Sequence, residues 1–311
     1  MKEELEHFGV LEEHASLKKL NTYQIDTSTK YLLHPTNAEQ VGEFIKYARN
    51  HHLPYFVLGN GSNVVLSDQE YPYVVVKLDL LNEIVYEDTR VKVGAGVMIN
   101  KLACDILEHG LQGLEWATGI PGTIGGCILG NAEAYKVSTF KYLESVTFYD
   151  EEGTLKTLPK ERIFHEYRNT FFKVQGNCVI TEASFVFPKG QKEESLKLIQ
   201  DRLQRRLATQ PLNYPSAGSV FRNPSPELPS GKLIDDLGLK GTRVHDACVS
   251  NKHANFIVNL GSATGKDIRD LIQLVHTKVL ESYHIDLILE QELIDWGSQD
   301  DKEKESGQKT V

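Results

Sequence analysis

The chain has 311 residues, with 34 basic and 43 acidic side chains, a formal net charge of −9 and a sequence pI of about 5.7. This acidic balance lacks the overall positive charge typical of nucleic-acid-binding proteins, and no run approaches the ~18 uncharged apolar residues of a membrane span. We therefore expect neither a nucleic-acid nor a membrane partner, and the length suggests two or three domains.

The four cysteines of the chain are widely spaced and form no CxxC pair: Cys104, Cys127, Cys178 and Cys248. This spacing is typical of neither a disulfide framework nor a zinc site. We predict reduced, buried thiols, no metal site and a cytoplasmic protein, since the charged N-terminal residues 1–13 also lack the apolar run of a signal peptide.

The first predicted elements form a β-α-β unit. Strands are expected at residues 31–34 and 55–58, and a helix is expected between them at 36–51. Its apolar residues recur with helical spacing, and Thr36 with Glu39 fits a capping box at its start.

Short strands dominate the middle of the chain. They are expected at 64–66, 73–78, 84–87 and 91–93, followed by a helix from Ile99 that ends at Gly110. The segments 143–149 and 154–158 read as a hairpin, and 178–187 reads as a long strand.

A second helical and stranded unit is predicted after residue 190. It starts with a helix at 193–208 whose apolar stripe is Leu196, Ile199, Leu203 and Leu207. A strand at 256–260, a capped helix at 264–284 and an alternating strand at 287–294 follow. The polar tail 298–311 is predicted to be disordered.

Two glycine-rich turns carry the strongest chemical signal. Glycines let the backbone approach an anion closely, and successive N–H groups can form an anion-binding nest. The turn 59–63 alone is weak evidence, because a tight hairpin would look the same. The turn 118–126 has four glycines among apolar and β-branched residues, so it should be ordered. Together they predict a pyrophosphate-containing cofactor bound without a dinucleotide GxGxxG motif.

Several further motifs follow these turns in a specific order. They are LGNGSN (58–63), TGIPGTIGG (118–126), NAEAY (131–135), YRNTFF (167–172), PSAGSVFRNP (215–224), GKLIDDLGLKG (231–241) and VSNKHANFIVN (249–259). In this order and spacing the chain resembles the UDP-N-acetylenolpyruvoylglucosamine reductases (UDP-N-acetylmuramate dehydrogenases, the MurB family) over about residues 20–297. The compact segment between 187 and 214 resembles the shorter, second type of that family.

The resemblance implies an α+β fold with a vanillyl-alcohol-oxidase (PCMH-type) FAD-binding domain in two lobes and a C-terminal α+β substrate-binding domain. The expected domains are an N-terminal extension (1–20), FAD-binding lobes at 21–72 and 73–190, and a substrate-binding domain at 191–297. The implied activity is reduction of the enolpyruvyl group of UDP-N-acetylglucosamine enolpyruvate to UDP-N-acetylmuramate, in peptidoglycan precursor synthesis. Noncovalent FAD would be recharged by NADPH, and a cytoplasmic monomer is expected.

Three residues match the family's catalytic positions. Ser219 is the implied proton donor, although a serine after glycine more commonly caps its own turn. Arg168 is the implied stabiliser of the enolate, a role for which a planar guanidinium is well suited. The family's usual run Leu-Glu-Pro-Glu-Val aligns with Leu289-Glu290-Gln291-Glu292-Leu293 and selects Glu292 as the assisting carboxylate.

The remaining implied site residues bind the cofactor or the substrate. For FAD they are Gly59, Asn60, Gly61, Ser62, Asn63, Thr118, Gly119, Ile120, Pro121, Gly122, Thr123, Gly125, Gly126 and Ile180. For the substrate they are Arg206 at its diphosphate, with Arg202 and Arg205 as alternatives, and Asn223, Lys252, His253 and Asn255, of which His253 is expected to be structural.

The chain departs from the family pattern at three places: residues 23–27, Glu133 and His245-Asp246. Two alternatives remain open. The departures motivate a paralogue that binds a UDP-sugar without turnover, and the FAD superfamily itself offers an oxidase. Many such oxidases hold the flavin through a histidine, and no histidine lies near residues 119–126.

Overall fold

The computed structural model of the protein describes residues 1–294. The helices are α1 (Lys2–Leu5), α2 (Ala38–Asn50), α3 (Ile99–Glu108), α4 (Ile124–Leu129), α5 (Phe171–Gln175), α6 (Lys192–Thr209), α7 (Ser230–Asp236) and α8 (Gly265–Tyr283). Short 3₁₀ segments occupy Glu6–Phe8, Lys18–Leu20, Thr139–Lys141 and Lys160–Arg162. Within residues 1–294, no helix combines the length and the apolar composition needed to span a bilayer.

The strands are mostly short. They are β1 (Val10–Ser16), β2 (Ser28–His34), β3 (Tyr55–Val57), β4 (Val64–Leu66), β5 (Tyr71–Val76), β6 (Ile84–Glu87), β7 (Arg90–Gly94), β8 (Glu133–Ala134), β9 (Val137–Ser138), β10 (Leu143–Tyr149), β11 (Leu155–Pro159), β12 (His165–Glu166), β13 (Asn169–Thr170), β14 (Val179–Val186), β15 (Arg243–Val244), β16 (Ala247–Val249), β17 (Ile257–Asn259) and β18 (Glu292–Ile294). The predicted mixture of helices and strands is therefore confirmed.

One compact unit comprises residues 1–15, 28–61 and 71–209. Its first sheet has the order β1-β2-β5-β3, with β2 and β3 both parallel to β5, which confirms the β-α-β opening. Its second sheet has the order β11-β10-β14-β7-β6 and is antiparallel, including the predicted hairpin β10–β11. A continuous apolar core that includes Trp116, Phe148 and Phe185 fills this unit.

The other compact unit comprises residues 16–27, 62–70 and 210 onwards. Its antiparallel sheet β15-β16-β17 packs against α8, whose buried stripe includes Ile268, Leu271 and Val275. Strand β18 pairs in parallel with β4. The predicted cap of α8 is confirmed, because the Thr264 side chain accepts a bond from the Asp267 N–H and the Asp267 carboxylate accepts one from the Thr264 N–H.

The predicted start of α2 is displaced. The helix begins at Ala38, and Asn37 caps it by accepting a hydrogen bond from the Gln40 N–H at 3.0 Å. Thr36 lies outside the helix, and its N–H and hydroxyl both donate to the Gln40 side chain. Asn is preferred over Thr as an N-cap residue, so the helix starts after Asn37, one position later than a Thr36 cap would place it.

The predicted apolar stripe of α6 is largely wrong. Ile199 is buried, but Leu196 is 46% exposed and Leu207 is 59% exposed. The covered line of the helix instead runs through Ser195, whose hydroxyl donates to the Glu115 carboxylate at 2.8 Å. Periodicity located an amphipathic helix, but a buried polar contact determined which line of it is covered.

Two further expectations need correction. The predicted strand 287–294 is not continuous: only 292–294 pairs with β4, whereas the Glu290 N–H donates to the Val220 carbonyl. All four cysteines are free thiols, yet Cys104 is exposed and Cys178 is half-buried rather than buried. The tail predicted to be disordered lies outside the described residues.

An exposed histidine generates a prediction about pH. His245 has a left-handed backbone (φ +46°), and its Nδ1 lies 2.7 Å from the Asp267 carboxylate. The hydrogen bond and the charge of Asp267 raise the pKa of His245 above its usual 6.5. The charged pair therefore stabilises the fold fully below pH 6.5 and loses its effect as pH rises through the raised pKa.

We expect His245→Asn to lower the free energy of unfolding in urea at pH 5.5 and to have a smaller effect at pH 9. His52→Asn is the matched control, because His52 has the same left-handed backbone (φ +49°) and no ion pair with a carboxylate within residues 1–294. An equal loss of stability at both pH values would contradict this account of the pair.

Candidate active site

Residues 59–61 of the first glycine turn lie beside the second turn in the first unit. The Asn60 side chain donates a hydrogen bond of 2.7 Å to the Pro121 carbonyl, which joins the first turn to the second. A Cβ on Gly59 would lie 3.0 Å from the Thr123 hydroxyl. The absence of a side chain at Gly59 therefore permits this close approach, and Gly61 adopts the left-handed conformation (φ +62°) that its turn requires.

The second turn leads directly into helix α4. Thr123 caps this helix by accepting a bond from the Gly126 N–H at 3.2 Å, and the Gly125 N–H donates to the Ala95 carbonyl. The N–H groups of Gly119 and Gly122 donate to no other group within residues 1–294. Ile120 packs partly on the core, and Thr118 donates to the Glu115 carbonyl. The turn is ordered by these contacts and leaves backbone donors for an anion.

A buried guanidinium lies against this turn. A Cβ on Gly119 would lie 2.5 Å from Arg206 Nε, and that nitrogen is buried without a hydrogen-bond partner in the described part of the chain. Burial lowers the pKa of Arg206, and the nearby Tyr135 opposes the shift. Arg202 stacks on the Tyr135 ring at 4.7 Å, whereas Arg205 is exposed and pairs with Asp201.

These residues fit the diphosphate of FAD. The turn offers backbone N–H groups, the glycines leave a surface that side chains would fill, and Arg206 supplies a cation with an unsatisfied donor. Ile180, another residue predicted to contact the cofactor, lies on β14 and packs in the core, and its contact with FAD stays a prediction.

Lys77 is a residue of the site that the sequence analysis missed. It is 7% exposed, and its Nζ donates a bond of 2.7 Å to the Gly59 carbonyl at the base of the first turn. Burial lowers the pKa of Lys77, and Asp79 opposes the shift. A lysine within the apolar run 73–78 was the available signal, because a buried lysine needs a specific partner.

Arg168 lies in the tight β12–β13 hairpin of the first unit with a left-handed backbone (φ +56°). Its guanidinium donates to the carbonyls of Asn131 and Glu133 at 3.3 and 3.4 Å, and it stacks over the Tyr167 ring. The backbone carbonyls of the NAEAY segment (131–135) therefore orient the Arg168 side chain. Burial raises the pKa of the neighbouring Cys127 thiol to about 12, although the charge of Arg168 opposes the shift.

Ser219 and Glu292 both lie in the second unit. Ser219 follows Gly218, which has a left-handed backbone (φ +75°), and forms an antiparallel bridge with Phe256. The Val220 carbonyl accepts a bond from the Glu290 N–H, so the segment after Ser219 pairs with the segment before Glu292. The Glu292 N–H donates to the Asn63 carbonyl, and the Asn63 side chain donates to the Glu290 carbonyl at 3.1 Å. Ser62 and Asn63 thus belong to this unit.

The predicted substrate residues of the second unit occupy different surroundings. Asn255 is buried, and its side chain both accepts from the Phe221 N–H and donates to the Phe221 carbonyl. Asn223 accepts a bond from the Ser230 N–H at the start of α7. Burial lowers the pKa of His253, whose ring packs on Phe256. These contacts favour positioning roles for Asn255, Asn223 and His253.

Lys252 is exposed and lines a cavity of about 370 Å³ within the second unit. Arg243, Tyr214, Asn213 and Asn251 also line it. Two cations, a phenol and two amides suit a phosphate-bearing ligand. Sequence reasoning did not select Arg243 or Tyr214, because Arg243 lies in a strand of only two residues and Tyr214 lies outside the helices and strands. Among residues 1–294, no His, Cys, Asp and Glu side chains cluster as metal ligands would.

Segments of both units match known protein families. The UDP-N-acetylenolpyruvoylglucosamine reductase C-terminal domain family matches residues 210–294, and the FAD binding domain family matches residues 29–159. A UDP-N-acetylenolpyruvoylglucosamine reductase from Clostridium novyi is 37% identical over 278 residues, which cover 89% of this chain and 90% of the relative. Its counterpart from Synechococcus sp. is 39% identical over 288 residues, covering 91% and 93%.

A solved structure agrees with these matches. The crystal structure of UDP-N-acetylenolpyruvylglucosamine reductase (MurB) from Thermus caldophilus superposes with a TM-score of 0.78 at 31% identity, covering 92% of this chain and 100% of that one. The predicted fold class, an FAD-binding domain followed by the C-terminal domain of this family, is thereby confirmed. The chain belongs to the UDP-N-acetylenolpyruvoylglucosamine reductase family.

Proposed function

We propose that the protein uses FAD and NADPH to reduce the enolpyruvyl group of UDP-N-acetylglucosamine enolpyruvate, giving UDP-N-acetylmuramate for peptidoglycan precursors. We further propose that the protein acts in the cytoplasm as a monomer and that this UDP-sugar is its small-molecule partner. The observation that carries it is the diphosphate cradle of the first unit: Asn60 joins two glycine turns, and Arg206 lies against Gly119 with an unsatisfied donor.

The reaction places specific demands on the chain. FAD, when bound, supplies the hydride that reduces one alkene carbon, with NADPH as the source of the electrons. The neighbouring carbon must receive a proton, and negative charge develops on the group that includes the adjacent carboxylate. The protein must therefore provide a proton donor and a positive or hydrogen-bonding group for that charge.

Ser219 is the proposed proton donor and Glu292 the carboxylate that assists it. The backbone on each side of Ser219 is anchored, because Gly218 accepts a bond on its carbonyl and Val220 is bonded through both its N–H and its carbonyl. A hydroxyl on a fixed backbone loses little orientational freedom when it reacts, which favours proton transfer. Arg168 is the proposed stabiliser of the developing charge, and the carbonyls of Asn131 and Glu133 hold its guanidinium in place.

For Arg206 we propose the diphosphate of FAD in place of the substrate diphosphate. We expected it at the substrate diphosphate, yet its contact with Gly119 favours the diphosphate of FAD. Arg243 and Lys252, which line the cavity of the second unit, are better candidates for the phosphates of the UDP-sugar.

The activity is tested by anaerobic stopped-flow. UDP-N-acetylglucosamine enolpyruvate should reoxidise the flavin of the NADPH-reduced protein. If the protein only bound the sugar, the flavin would stay reduced. Ser219→Ala should keep flavin reduction by NADPH at the wild-type rate and lose about 10²–10⁴-fold in reoxidation by the sugar, the usual size of a general-acid contribution.

Ser262→Ala serves as the control, because Ser262 is exposed and its backbone N–H, which the substitution keeps, donates to Asp246. Reoxidation of Ser219→Ala at the wild-type rate would exclude Ser219 as the proton donor. Rapid reoxidation by O₂ alone, with no response to the sugar, would indicate an oxidase.

Lys77 generates a prediction about the cofactor. Lys77→Met keeps an unbranched stem of similar size but removes the ammonium that holds the Gly59 carbonyl. We expect the Kd for FAD to rise about tenfold, equivalent to about 1.4 kcal/mol, because the first turn loses its anchor. Flavin fluorescence quenching on titration of the apoprotein measures this change.

Lys101→Met is the matched control, since Lys101 is exposed on α3 and lies outside the glycine turns. Thermal stability of Lys77→Met should fall, because the Gly59 carbonyl loses its hydrogen-bond donor, so the Kd is measured well below the melting transition of the variant. An unchanged Kd for FAD would contradict the anchoring role.

A further inference from the structure

A buried glutamine holds the turn that precedes Ser219. Gln291 is 3% exposed, and its Nε2 donates to the carbonyls of Ala217 at 3.1 Å and Gly218 at 3.3 Å. We propose that Gln291 and Tyr23 are positioning residues that fix the Ser219 hydroxyl for proton donation. This inference rests on the proposed function of Ser219.

Tyr23 determines the orientation of the glutamine. It is fully buried, and its hydroxyl donates to Gln291 Oε1 at 3.1 Å. The amide oxygen thus faces the phenol, and the amide nitrogen faces the two carbonyls, which can only accept. Tyr23 is itself held by Asn259, whose side chain donates to the Tyr23 carbonyl at 2.9 Å. A chain of hydrogen bonds therefore runs from Asn259 through Tyr23 and Gln291 to the turn.

The turn needs such an anchor because of its glycine. Gly218 has φ +75°, and without a side chain its backbone has more alternative conformations than any other residue. The bonds to Ala217 and Gly218 restrict it before Ser219. After Ser219, Asn255 restricts the backbone. Its carbonyl accepts a hydrogen bond from the Val220 N–H, and its side-chain oxygen accepts one from the Phe221 N–H. Ser219 lies between these two anchors.

The same glutamine precedes the proposed carboxylate Glu292, whose N–H is bonded to the Asn63 carbonyl. One buried side chain thus positions the backbone beside both groups proposed to move the proton.

Two substitutions test the bridge with different severity. Gln291→Met keeps the side-chain length and removes every hydrogen bond, whereas Tyr23→Phe removes one hydroxyl from an otherwise unchanged ring. We expect reoxidation of the reduced protein by the sugar to slow on the order of 10–100-fold in Gln291→Met, the cost of a misplaced reacting group, and less in Tyr23→Phe. Flavin reduction by NADPH should keep its wild-type rate.

Two readouts separate positioning from general destabilisation. The solvent deuterium isotope effect on reoxidation should increase in both variants, because proton transfer becomes more rate-limiting. Amide hydrogen exchange in residues 217–220 of the holoenzyme should become faster than in the wild type. Gln273→Met should change neither, because Gln273 is exposed on α8 and its side chain donates a hydrogen bond to Thr277.

A wild-type reoxidation rate and isotope effect in Gln291→Met would overturn the proposal. If Gln291→Met does not fold, the same two measurements on Tyr23→Phe decide the question. Wild-type protein that NADPH reduces but the sugar does not reoxidise would instead refute the proposed function. In that case amide exchange still tests the bridge, and unchanged exchange at residues 217–220 in Gln291→Met would overturn it.

Discussion

The approach of two glycine turns is the constraint on which the cofactor unit depends. The Asn60 amide donates to the Pro121 carbonyl, and a Cβ on Gly59 would lie only 3.0 Å from the Thr123 hydroxyl, so the glycine favours this close approach. Gly125 is under a similar constraint, since a Cβ there would lie 3.2 Å from the Ala95 side chain. Backbone atoms rather than side chains therefore form the surface offered to the cofactor, and the core of the unit serves to hold that surface in place.

This arrangement explains how an acidic protein binds anionic ligands. The net charge of −9 is distributed over the whole chain, and many of its acids form exposed ion pairs such as Arg90–Glu144 at 2.7 Å. Lys77 and Arg206 are different, because both are largely buried beside the glycine turns and neither forms an ion pair within residues 1–294. Two buried cations act locally, where the low dielectric strengthens them.

Much of this architecture was predictable from local patterns. The hairpin β10–β11, the capped helix α8 and the turn-forming glycines all follow from short stretches of sequence with strong turn, cap or alternation signals. The motif resemblance predicts catalytic roles for Ser219, Arg168 and Glu292. Local patterns did not predict contacts between segments distant in the chain: Ser195 with Glu115, Lys77 with Gly59, and Tyr23 with Gln291. The contact between Ser195 and Glu115 determines which face of α6 is covered. The contact between Tyr23 and Gln291 lies where the predicted strand 287–294 is interrupted.

The glycine turns are proposed to bind a diphosphate, and the affinities of the apoprotein for two flavins test that claim. FAD carries a diphosphate and an adenosine, whereas FMN carries a single phosphate. Titration of the apoprotein with each should show FAD binding at least about 100-fold more tightly, a difference of about 2.7 kcal/mol. Equal affinity for FAD and FMN would contradict the claim, because the turns would then contribute nothing to cofactor binding.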